Sequence, residues 1–332
     1  MKTLRLHSCL AESIQDFINL RRLSGTDYQG QAQLLGYFDR FVFKQGIKIP
    51  RITQQITDDY LGSLLHLAPR TRLNRFSVVR QLCQYLAQND HLNHIPEPLK
   101  TISSRGNRKA YIYTMSEIQN LMEAASTLLP ENSLRPRTYK TFIGLLYSTG
   151  IRIGEALALN LEHFHPTNKC LYIAEGKFRK DRWVPLSIST CTALEQYLTR
   201  RTKVKPYCSD SPIFINNRAR RLHQCTVNQT FHFLLRKCEI AYSKSTGPRI
   251  HDFRHSFAVH RLLDWYRDRK DVNARLPWLS TYMGHVDIHS TQVYLQATTE
   301  LIEQVNHRFH NHYINQVKSK GGENVTSTSQ VY

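Results

Sequence analysis

No stretch of the 332-residue chain runs to about 18 consecutive apolar residues, and residues 1–20 alternate polar with apolar side chains without an apolar signal core. These absences argue against a membrane-spanning helix and against secretion, and lead to the expectation of a cytoplasmic protein. No CxxC pair occurs among the seven cysteines, Cys9, Cys83, Cys170, Cys191, Cys208, Cys225 and Cys238, which are odd in number and far apart. A disulfide framework and a cysteine zinc site are both disfavoured, so the thiols read as reduced and mostly in the core. No internal repeat is visible. Acidic side chains are scarce: 26 against 45 basic ones gives 45 − 26 = +19 with histidine neutral.

The chain is 41% hydrophobic, enough to bury real cores, so the excess positive charge is expected on folded surfaces and its natural partner is a polyanion. The first hundred residues read as helices. Leu34, Leu35, Tyr37, Phe38, Phe41 and Val42 follow helical spacing, as do Leu73, Phe76, Val79, Leu82, Cys83 and Leu86 after Pro69. Arg72, Arg75 and Arg80 fall on the opposite, solvent-directed face of that second helix. Charge alone suits a solvated face as well as a DNA-facing one. Pro96 and Pro98 close a first domain at 1–98. A basic linker at 99–112 follows, with Lys100, Arg105, Arg108 and Lys109 among small polar residues.

A larger domain at 113–317 opens with a helix capped by Ser116 and Glu117, and a second helix at about 139–148 stops at Gly150. Leu171–Ile173 and Trp183–Val184 flank a basic stretch and predict a hairpin. Helices resume from Val227, and 318–332 reads as a disordered tail. The expected class is therefore mainly α: a helical first domain, then an α+β domain with a small antiparallel sheet.

Four segments carry polar residues that local structure does not require. Arg152 follows the helix-ending Gly150, with Glu155 three positions on. Lys177 and Lys180 share the hairpin turn. His251 and Arg254, three apart, share a helix face. His285 and Tyr294 lie 294 − 285 = 9 positions apart. In order, LLYSTGIRIGEALAL, GKFRKDRWVPL, HDFRHSFAVHRLL and MGHVDIHSTQVY resemble the successive signature segments of the tyrosine recombinases, or phage-type integrases, which include the Xer and Cre proteins.

That resemblance implies a site-specific DNA recombinase that cuts and rejoins strands through a 3′-phosphotyrosyl intermediate without metal or ATP. Arg152 and Arg254 match the catalytic arginines, Lys177 the hairpin lysine, with Lys180 its competitor, His251 and His285 the two histidines, Tyr294 the nucleophile and Glu155 a supporting acid. The first domain is similar to a core-binding domain, in which Arg72, Arg75 and Arg80, with Arg105, Arg108 and Lys109 of the linker, become DNA-binding candidates. No cofactor is implied. The partners are double-stranded DNA, sister protomers in a homotetramer on two DNA sites, and accessory proteins; the expected location is the nucleoid. Leu301, Ile302, Val305 and Phe309 form an apolar stripe beyond the nucleophile that suits exchange between protomers. His307, His310 and His312 read as a polar helix face rather than a metal site. The charged stretch from Asp264 to Arg275 reads as a surface extension. A type IB topoisomerase and a catalytically silent DNA-binding regulator are the alternatives.

Overall fold

In a computed structural model, residues 5–100, 110–174, 181–243, 247–285, 289–292 and 294–295 are described, and the chain divides into two compact units, 1–107 and 108–332. The first unit is built from four helices: α1 (Ala11–Leu23), α2 (Gln29–Lys44), α3 (Gln54–Ser63) and α4 (Pro69–Asn89). Pro69 starts α4, where its missing N–H costs nothing. Phe76, Val79, Leu82, Cys83 and Leu86 of α4 are buried with Leu35, Phe38 and Val42 of α2 and with Ile14, Phe17 and Ile18 of α1. Each such side chain contributes roughly 1.5–3 kcal/mol when fully buried. The buried Asp39 carboxylate accepts from the backbone N–H of His7 (2.8 Å) and Ser8 (3.0 Å) and from the Ser8 hydroxyl (2.6 Å), which ties the approach to α1 onto α2.

The second unit holds α5 (Met115–Ser126), α6 (Arg135–Thr149), the short α7 (Ile153–Ala158) and a 3-10 turn at Leu161–His163. Strands β1 (Phe164–His165), β2 (Cys170–Ile173) and β3 (Arg182–Pro185) form an antiparallel sheet in chain order, followed by α8 (Ile188–Val204), α9 (Gln224–Lys237), α10 (Asp252–Arg267) and α11 (Val272–Met283). Leu171, Ile173 and Val184 point from one sheet face into a core shared with Phe142, Ile143, Leu146, Phe231 and Phe253. The other face pairs Tyr172 with Trp183. Among the described residues, no helix is long and apolar enough to cross a membrane, and no cluster of three metal-ligating side chains occurs.

Several local expectations are corrected. Thr114, extended at φ −73° and ψ 160°, caps α5 in place of Ser116, and Glu117 completes the reciprocal box by accepting from the Thr114 N–H at 2.7 Å. Helix α6 starts at Arg135, because Pro136 suits a first turn. The stretch Asp264–Arg275 is the last turn of α10, a short connection and the first turn of α11, and most of it is exposed. Only Cys83 and Cys191 are buried, whereas Cys208 and Cys225 are exposed. Arg75 and Arg80 are half-buried rather than turned fully outward. The Arg75 guanidinium lies 4.3 Å from the Tyr37 ring centre, and Arg80 donates to the Pro96 carbonyl at 2.8 Å. Arg72 is half-buried too.

Candidate active site

Two helix ends create the site. Helix α6 stops where Gly150 takes a left-handed conformation, φ +61°, and a Cβ there would collide with the Phe257 ring. The chain then extends through Arg152, whose backbone precedes α7. An arginine side chain accepts no hydrogen bond, so the cap comes from the other direction: Glu155 accepts from the Arg152 N–H at 2.9 Å. Helix α11 stops in the same way at Gly284, φ +67°, where a Cβ would press on the Arg182 guanidinium at 2.8 Å.

The last carbonyls of α11 would be orphan acceptors at the negative end of a helix dipole. Three consecutive ones are taken by three arginines from three elements. Arg182 of β3 donates from Nε to the Tyr282 carbonyl (3.0 Å), Arg254 of α10 from Nη2 to that of Met283 (2.7 Å), and Arg152 from Nη2 to that of Gly284 (3.0 Å). Arg254 also donates from Nη1 to the Gly150 carbonyl at 2.7 Å, so it ties the two helix ends together.

Glu155 is 8% exposed and accepts four N–H bonds. Arg152 supplies its backbone N–H and Nη1 (2.8 Å), and Arg182 supplies Nη1 (3.2 Å) and Nη2 (2.7 Å). Burial by itself would raise the carboxyl pKa, but the hydrogen bonds and charge of Arg182, then of Arg152, outweigh it and hold it at about 2. The linked cluster of three guanidiniums and one carboxylate carries 3 − 1 = +2. Burial first, and the nearby Arg152 second, lower the Arg254 pKa to about 10, which leaves it protonated at neutral pH.

Tyr294 lies against this cluster, 5% exposed, with Arg254 hydrogen-bonded to its phenol. Burial holds the phenol pKa above its ordinary value, and the charge and hydrogen bond of Arg254 and the charge of Arg152 offset this only in part. Its ring stacks on His285 at 6.0 Å and meets His255 edge-on at 5.3 Å. His285 Nδ1 pairs with the Thr291 hydroxyl at 2.6 Å. His251, at the start of α10, is exposed at its rim, and its ring meets that of His255 at 5.2 Å. Desolvation by the surrounding protein first, with the proximity of His255 and the charge of Arg254, lowers the His251 pKa to about 4; desolvation and Arg254 also lower that of His255. Both imidazoles are therefore neutral bases at neutral pH.

Of the residues expected from sequence, Arg152, Glu155, His251, Arg254, His285 and Tyr294 converge here. Lys177 and Lys180 lie outside the described residues, as do Arg105, Arg108 and Lys109, the stripe from Leu301 to Phe309 and the histidines 307, 310 and 312. Two residues at the site were passed over. His255 sits four positions after His251, on the same helix face. Arg182 was read only as the end of the basic, exposed hairpin turn.

Residues 112–300 match the Phage integrase family. A Sinorhizobium fredii protein with an integrase/recombinase name, y4rB, is 33% identical over 307 residues, 91% of this chain and 97% of that protein. The tyrosine recombinase XerD of Listeria monocytogenes is 25% identical over 317 residues, 90% of this chain and 98% of that one. Among solved structures, the Tn1549 transposon integrase in complex with a circular intermediate DNA superposes with a TM-score of 0.62 at 15% identity, covering 87% of this chain and 95% of that one. The XerH site-specific recombinase in a post-cleavage complex with difH gives 0.61 at 21% identity, covering 83% and 78%.

Proposed function

The chain belongs to the phage integrase family, the tyrosine recombinases, and we propose that it recombines DNA at specific sites through a 3′-phosphotyrosyl intermediate. The observation that carries the mechanism is the buried Tyr294, packed on His285 and His255 beside a cluster of net positive charge. A DNA phosphodiester brings one negative charge, which grows on the non-bridging oxygens as phosphorus becomes five-coordinate. Guanidinium forks match such oxygens and keep their charge. Held by the α11 carbonyls, Arg152 and Arg254 are oriented before DNA arrives, and they supply the positive charge that a divalent cation brings elsewhere.

An ordinary phenol attacks at neutral pH only when a neighbour takes its proton or a cation favours phenolate. Arg254 only partly offsets the burial that keeps the phenol protonated, so the proton goes to a base, the role assigned to His251 or His255. The attack forms the Tyr294 oxygen–phosphorus bond and breaks the bond to the 5′ oxygen. Lys177 is assigned the proton for that leaving group. His285, held by Thr291, donates to the phosphate. Since the phosphoester bond energy is retained, a 5′ hydroxyl from another strand reverses the step and rejoins DNA without ATP.

In this reading the first unit is the core-binding domain, and Arg72, Arg75 and Arg80 contact DNA together with Arg105, Arg108 and Lys109. Four protomers on two DNA sites complete the proposal. The test uses a nicked, labelled duplex carrying the junction sequence of the protein's own recombination product. Wild type should form a covalent adduct visible on a denaturing gel, and Tyr294→Phe should bind the duplex without forming one. An adduct from that variant, or one mapped to Tyr282 or Tyr313, overturns the assignment.

A further inference from the structure

Arg182 belongs to none of the roles assigned above, yet its guanidinium is fully engaged at the site. Each of its three guanidinium nitrogens already meets an acceptor: Nε the Tyr282 carbonyl, Nη1 the Glu155 Oε1 and Nη2 the Glu155 Oε2. Its side chain is 10% exposed, against 22% for Arg152. Gly284 lies so close that an added Cβ would come within 2.8–3.1 Å of the guanidinium, so the pairing has been given room at the expense of a side chain. The Nη1–Nη2 edge of this guanidinium, the one that could grip a phosphate bidentately, faces Glu155 instead. What it does offer is a second, bidentate partner for the one carboxylate that orients Arg152.

From this geometry we infer that Arg182 is a positioning residue for strand cleavage: it clamps Glu155, and through Glu155 it fixes the direction in which Arg152 presents its guanidinium to the scissile phosphate. The inference rests on the strand-cleaving reading above. The physical reasoning is a matter of degrees of freedom. Arg152 alone could hold Glu155 in several rotamers, because a carboxylate at the start of a six-residue helix can swing with its partner. The Arg182 fork takes one lone pair from each oxygen and sets the carboxylate plane. The remaining lone pairs then direct the Arg152 backbone N–H and Nη1. The Nε bond to Tyr282 fixes the same guanidinium to the end of α11, one residue before the carbonyl that Arg254 uses and two before the one that Arg152 uses.

The test is a double-mutant cycle on single-turnover adduct formation, with the nicked junction duplex as probe and DNA affinity measured alongside. Arg182→Gln should slow adduct formation by about 10- to 100-fold, the scale of a lost outer partner that orients a reacting group. Its DNA affinity should stay within about 2-fold of wild type, and Arg182→Lys should recover part of the rate. The double variant Arg182→Gln/Arg152→Ala should be no slower than Arg152→Ala alone, within about 2-fold, because the role of Arg182 is spent once Arg152 is gone. Multiplicative effects in the cycle, an unchanged rate in Arg182→Gln, or equal loss of DNA binding in the Gln and Lys variants would each overturn the inference. Failure of the wild-type protein to form any adduct would instead refute the strand-cleaving reading, so the two failures are distinguishable.

Discussion

Replacing Glu155 by glutamine tests the electrostatic centre of the site without changing its shape. The carboxylate takes four N–H bonds, two on each oxygen. An amide replaces one of those oxygens by a donor, so one pair of N–H groups loses its acceptor, and the Arg182 guanidinium, 10% exposed, loses its counter-charge. Breaking a buried pair by removing one partner costs about 3–5 kcal/mol. The carboxyl pKa gives an independent figure. Its fall from 4.5 to about 2 is worth about 3 kcal/mol. Because the folded value lies below the unfolded one, this contribution is present above pH 4.5 and drains as pH falls toward about 2. By about pH 3, roughly 2 kcal/mol of it should be gone. All three tryptophans, Trp183, Trp265 and Trp278, lie in the second unit, so their fluorescence during guanidinium denaturation of the full chain reports that unit alone. The stability difference between wild type and Glu155→Gln should be about 3 kcal/mol near neutral pH and shrink to about 1 kcal/mol near pH 3, other carboxylates cancelling between the two proteins. A difference that does not change with pH would show that Glu155 is not held by the two arginines.

Arg254→Ala removes a donor from both the Gly150 and Met283 carbonyls; it should destabilise the second unit by about 2 kcal/mol or more and lower adduct formation by at least about 10²-fold. Arg254→Lys should not restore the rate, since a point charge cannot span both carbonyls and a phosphate; a near-wild-type rate would contradict the fork argument. Adduct formation should persist in EDTA, because the charge balance at phosphorus is met by side chains; a strict divalent-metal requirement in the chemical step would refute that account. Duplex affinity should fall by about 0.9 log unit per phosphate contact per log unit of salt, and changing Arg105, Arg108 and Lys109 together to alanine should flatten the slope; an unchanged slope places those residues away from DNA.

Much of the fold was legible because its signals are local. The apolar set of α4 from Phe76 to Leu86 is buried as its spacing requires, α6 stops at Gly150, and Leu171 pairs with Val184 in the expected hairpin. Errors of boundary came from rules that several residues satisfy at once: Thr114 and Ser116 are both plausible caps, and only Thr114 has the extended backbone that lets its hydroxyl reach the Glu117 N–H. The two-residue β1 has no periodicity to read. The cysteines were misjudged because spacing says nothing of depth when a thiol sits at a helix start, as Cys225 does.

The site itself divides along the same line. Residues that face substrate fall into short motifs and could be singled out from their order along the chain. Those that hold the site together could not, because each acts across sequence: Arg182 reaches Tyr282 over 100 positions, Arg152 reaches Gly284 over 132, and Arg254 reaches Gly150 over 104. No periodicity records that three consecutive carbonyls at one helix end will meet three guanidiniums. One indirect trace does exist. Glycines stand at positions 150 and 284, each with positive φ and each crowded by a side chain of the site, Phe257 and Arg182 respectively. A helix-ending glycine whose carbonyl must accept from a buried arginine satisfies turn and site with a single residue. Substituting alanine at Gly284 should therefore harm more than the cap: besides the left-handed strain, its Cβ would displace the Arg182 guanidinium and with it Glu155 and Arg152. Gly284→Ala should then slow adduct formation more than an alanine at an ordinary helix-ending glycine such as Gly46, whose Cβ would meet nothing within 4 Å. Equal effects of the two substitutions on adduct formation would mean that the carbonyl–arginine arrangement does not govern the chemistry.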